Sequence, residues 1–253
     1  MNQAKLTARL PGIVSALGVG CLALRWILYR VDLDDRLLLK PGHPLEILLW
    51  LLTAGTLGMI AVCALKSKEP VSYEDNFPLS NRAWIGCCVA AFLICYTVLS
   101  REAKLPGGPG IAWKVLGVLC APCLLAAGMG RHLGYKNLSL LYVVPCLFYM
   151  FHIINHYRTW SSEAQLQTYF YPLFAAIAMT FFLFYTAAFA VDMPYRRQQL
   201  FTGLSGTFLC MVDLSRTEYP WLCLAGIILC LTGLCARPSA LETEEGGNAH
   251  DSA

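Results

Sequence analysis

Charge is scarce in this chain: Asp, Glu, Lys and Arg together make up 14% of the residues, against 57% hydrophobic ones. That shortage excludes an ordinary water-soluble surface, which such a composition could not cover without large apolar patches. Strands are excluded as well, because a transmembrane barrel needs segments of about ten residues with alternating polarity, whereas the apolar runs here are continuous. A formal net charge of only +3 gives no basic surface for a nucleic-acid partner. No internal repeat is visible, and no stretch carries a catalytic, nucleotide-binding or transport signature of specific spacing.

What the chain does contain is eight apolar stretches, near Leu10 to Tyr29, Leu45 to Leu65, Ala83 to Leu99, Ile111 to Met129, Leu138 to Ile154, Tyr169 to Val191, Arg197 to Leu214 and Pro220 to Cys235. A bilayer core of about 30 Å needs roughly 17 to 25 helical residues. The stretches therefore predict an all-α, polytopic integral membrane protein, a bundle of about eight transmembrane helices. The seventh and eighth are short, and Asp213 interrupts the apolar run between them. Residues 1–236 form a single helical domain on this reading, and 237–253 form a short acidic tail with nothing to bury. Lys5 and Arg9 precede the first stretch as in a signal peptide, but no small-x-small cleavage site follows, so we read it as an uncleaved span.

An even number of spans puts both termini on one side. A small excess of Lys and Arg in the loops on that side predicts that it is cytoplasmic in a cell membrane. Membrane lipids are the expected surroundings, and a protein partner would use the 66–82 loop or the acidic tail. No cofactor is expected.

Twelve cysteines suggest an oxidised framework until they are placed. All fall within or at the edges of apolar stretches, where a free thiol acts as a small hydrophobe. Cys120 and Cys123 form a C-x-x-C pair with Pro122 between them, but no second pair sits in a loop to relay electrons, so we read both as packing residues. Pro122 and Pro145 each remove a helical hydrogen bond, which predicts kinks near the middle of the fourth and fifth stretches.

The polar groups inside the spans lie mainly at one end. Arg25, Glu46, Lys114, His152, His156 and Asp213 all fall on the side opposite the termini, where burial at a cost of about 2.5 to 3.5 kcal/mol each favours pairing or a wet cavity. A polar vestibule is thus expected there, although Arg25 and Lys114 alternatively snorkel to headgroups and Glu46 suits a first helical turn. His152, Asn155 and His156 share a helical spacing that groups them on one face. Two histidines alone do not complete a metal site, no H-E-x-x-H base is present, and no metal is assigned. Aromatic residues follow, with Tyr169 and Tyr171 near the interface, and the seventh stretch adds Gln198, Thr202 and Ser205 beside Gly203 and Gly206. The candidate ligand site is therefore His152, Asn155, His156, Asp213, Tyr169 and Tyr171, between the fifth, sixth and seventh stretches. It suits a transporter or carrier for a small amphipathic solute. A sensor or assembly subunit is the alternative, and an enzyme of lipids or thiols ranks third because no nucleophile, base and orienting group assemble from spacing.

Overall fold

The computed structural model describes residues 3–31, 43–66, 81–100, 108–160, 166–191, 193 and 195–234. Most of the 66–82 loop, the acidic tail and Asp192 lie outside these residues. Eight α-helices are present, with no strand among the described residues: α1 Gln3–Val31, α2 Pro44–Lys66, α3 Asn81–Ser100, α4 Gly108–Leu133, α5 Val143–Trp160, α6 Leu166–Ala188, α7 Arg196–Asp213 and α8 Pro220–Leu234. Five segments are long and apolar enough to cross a membrane by length and composition: Arg9–Val31, Pro44–Lys66, Gly110–Leu133, Lys136–Tyr157 and Tyr169–Val191. The apolar parts of α3 and α8 are shorter.

The outward faces carry large apolar side chains such as Leu51, Leu65, Phe92, Leu99, Ile111 and Ile154. The centre of the bundle is α7, which packs against α1, α2, α6 and α8. This position explains its weak apolar signal. Enclosed by other helices, α7 buries Gln199, Thr202, Ser205, Thr207 and Asp213, and its polar groups can bond to neighbouring helices. Gln199 donates to Thr186 Oγ1 on α6 at 3.0 Å and accepts from Arg196 Nη1 at 2.8 Å. The expected stripe of Gln198, Thr202 and Ser205 is corrected accordingly: Gln198 is exposed and its neighbour Gln199 faces inward.

Close helix approach depends on small residues at the contacts. A Cβ on Gly86 of α3 would collide with Thr232 of α8, so that contact requires glycine. The C-terminus of α4 closes on Gly134, whose φ of +82° lets the Tyr135 N–H reach the Gly130 carbonyl at 2.7 Å, a Schellman cap.

Two arginines, Arg131 buried and Arg196 half-buried, hold the end of α8. Arg131, 1% exposed, donates from Nη2 to the Gly233 carbonyl at 3.5 Å, and Arg196 donates to the Leu234 carbonyl at 3.2 Å. Both place positive charge at the C-terminus of α8, where the helix dipole favours it. Spacing alone assigned Arg131 to a loop; the structure puts it in the last turn of α4.

The prolines behave differently from one another. Pro122 lies inside α4, as expected. Pro145 does not interrupt a long helix, because residues Lys136–Tyr142 form a 3₁₀ segment and α5 begins only at Val143. Proline in a first helical turn removes no intrahelical bond, since the first N–H groups have no partner in the helix.

Candidate functional site

α1, α5, α6, α7 and α8 converge at the end of the bundle opposite the N-terminus of α1, and the short connection between α7 and α8 crosses the same region. They enclose a cavity of about 310 Å³. Arg25 of α1, Tyr149, His152 and His156 of α5, and Asp213 of α7 form its polar wall. Pro172, Ala175, Ala176 and Met179 of α6, with Leu222 of α8, form its apolar wall. Arg216 and Glu218, both exposed, stand on the connection that edges it.

Arg25 is 1% exposed and does not snorkel. Its Nη1 donates to the Val212 carbonyl at 3.1 Å and to Asp213 Oδ1 at 3.3 Å. The guanidinium also lies over the Tyr171 ring, 4.5 Å from its centroid, with Tyr29 at 5.7 Å. One arginine thus pairs with the buried carboxylate, caps the end of α7 and rests on an aromatic face. Asp213 accepts a further bond at Oδ2, from the Cys223 thiol at 3.5 Å.

The histidines sit in an aromatic nest. His152 is 6.2 Å from Trp113, 6.4 Å from Phe148 and 5.3 Å from Tyr219, and His156 lies 4.4 Å from His152 and 5.0 Å from Tyr219. Both are buried, unlike Tyr157 on the next position, which is exposed. Tyr149 completes this face. Its hydroxyl is buried and makes no hydrogen bond with a described residue.

Among the six residues grouped from sequence, the cavity brings together His152, His156 and Asp213, joined by Arg25. Asn155 is buried but is not on the cavity wall, because successive helical residues point about 100° apart and Asn155 is turned away from the Tyr149, His152 and His156 face. Tyr171 lies behind the wall, bonded to Thr53 Oγ1 at 3.0 Å and stacked on Trp50. Tyr169 is half-buried and does not line the cavity. Glu46 is half-buried in the first turn of α2 and Lys114 half-buried on α4, both away from the wall.

Sequence reasoning missed Tyr149, although it stands three residues before His152 and so shares its face. It also missed Tyr219, Arg216 and Glu218, which occupy a connection without periodicity. Cys120 and Cys123 are not on the cavity wall, whereas Cys210 and Cys223 are. No three His, Cys, Asp or Glu side chains gather closely enough to hold a metal ion among the described residues. No family model, curated protein or solved structure matches the chain.

Proposed function

We propose that the chain is a multi-pass membrane protein whose eight helices all cross the bilayer, and that its cavity binds a small amphipathic solute in the manner of a carrier or transporter. The Tyr149 hydroxyl carries this reading. Left without a protein partner, a buried hydroxyl costs about 1 to 3 kcal/mol, and a bound solute or water offsets that cost. The volume is at the lower end of the roughly 300 to 1,000 Å³ of ligand pockets. Alanines, Met179 and Leu222 suit an apolar body, while the histidines, Tyr149, Arg216 and Glu218 suit a head that is uncharged or zwitterionic, since the wall offers charges of both signs.

Thermal unfolding of the detergent-purified protein with a panel of uncharged, zwitterionic and cationic amphipaths tests the solute reading. A binder present at 100 times its Kd stabilises by about 2.7 kcal/mol, so at least one uncharged or zwitterionic member should raise the Tm by several degrees. A flat response across the panel would count against the reading. A response confined to cations would require a different ligand class.

The termini should share the cytoplasmic side, and the cavity should open to the other face. Reporters fused at the N-terminus and after Arg237 should both be active in the cytoplasm. Opposite behaviour at the two ends would mean an odd number of crossings.

A further inference from the structure

We propose that the floor of this cavity contains a second site, formed by Cys210 and Cys223, for a thiophilic monovalent d¹⁰ cation, Cu(I) in its biological form. Three observations point to it. Cys210 on α7 and Cys223 on α8 are both free and buried, and both line the cavity. Cys223 Sγ donates to Asp213 Oδ2 at 3.5 Å, so a carboxylate already stands where a thiol must lose its proton. A third sulfur is close at hand: Met179 Sδ lines the same cavity and lies 3.2 Å from Cys230 Sγ.

Gly226 makes room for this sulfur cluster. A Cβ there would lie 3.1 Å from Cys210 Sγ and 3.3 Å from Met179 Sδ, so a side chain at this position would require these sulfurs to give by a few tenths of an ångström. Soft thiolate and thioether ligands select Cu(I) over hard divalent cations. Cu(I) accepts two thiolates in line, which is why a pair suffices where no group of three His, Cys, Asp or Glu side chains gathers among the described residues. Hard cations have no comparable claim, because Asp213, the carboxylate that Cys223 contacts, is already paired with Arg25.

The charge balance also closes. Two thiols and one M⁺ give a bis-thiolate complex of charge −1 and two protons. One proton goes to the Asp213 carboxylate and the other leaves through the cavity, while the Arg25 guanidinium, freed from the carboxylate charge, balances the complex. The site therefore exchanges one M⁺ for one H⁺ with no change in net charge, which suits a location where uncompensated charge is costly.

The site does not rest on the solute reading, and its test is separate. The purified, fully reduced protein is titrated without oxygen against the bicinchoninate complex of Cu(I), following withdrawal of the ion and thiolate-to-copper absorbance in the near ultraviolet. The wild type and the Cys120→Ser/Cys123→Ser variant should each withdraw one equivalent, and Cys210→Ser/Cys223→Ser should lose at least ten-fold in affinity. If the double variant does not fold, Cys223→Ala alone should show the same loss, since either thiol is indispensable to a two-coordinate ion. No withdrawal by the wild type, or undiminished withdrawal by the folded variants, would overturn the site.

Discussion

Replacing Asp213 by alanine should destabilise the purified protein by about 3 to 5 kcal/mol, the loss typical when one partner of a buried ion pair is removed. Arg25 is 1% exposed, and the substitution takes away the carboxylate that its Nη1 meets at 3.3 Å. The carboxylate holds α1 against α7 as well as facing the cavity. Unfolding in detergent measures the effect. The double variant Arg25→Leu/Asp213→Leu should recover much of the loss, since apolar replacement of a whole buried pair is often neutral or favourable. A stability for Asp213→Ala equal to the parent would mean that cavity water solvates Arg25 and that the pair is not desolvated.

His152→Phe should weaken binding of the stabilising amphipath by roughly ten-fold or more while leaving the fold within about 1 kcal/mol of the parent, a tenfold change corresponding to about 1.4 kcal/mol. Phenylalanine keeps a ring of similar shape against Phe148, Trp113 and Tyr219 but removes both ring nitrogens. Ligand-induced shifts in Tm read the difference. Tyr149→Phe supplies the companion result: deleting a hydroxyl that has no hydrogen-bond partner among the described residues should leave the protein at least as stable, and it should still lose affinity. Weaker binding without weaker folding marks a group that serves a ligand.

The eight helices were legible because a continuous apolar run and a bounding charge are local properties of the sequence. The centre of the bundle was not. α7 and α8 looked the least secure because each is short and Asp213 interrupts the apolar run between them, yet the polar residues of α7 are tolerated because four helices pack against it. Asp213, Arg25, His152 and His156 were legible as polar groups at one end of the spans, and the structure places them around one cavity. Which residues face that cavity was less legible. Asn155 stands one position from the cavity-lining His156, and a displacement of one residue turns a helical side chain by about 100°. Pro145 misled for a related reason: the boundary between the 3₁₀ segment and α5 depends on packing that hydropathy does not record. Cys210 and Cys223 reach the same cavity wall from two different helices, so no spacing rule for one helix could pair them.

Native mass spectrometry of the protein released from its own membranes tests the central claim most directly, with wild type compared to Ala176→Phe. Ala176 lines the apolar wall and is 5% exposed, so phenylalanine fills the cavity while every polar group stays in place. The wild type should carry a non-lipid adduct of a few hundred daltons that Ala176→Phe lacks, with lipid adducts equal in both. An adduct that survives filling of the cavity, or a wild type that carries lipid alone, would contradict a solute site among α5, α6, α7 and α8.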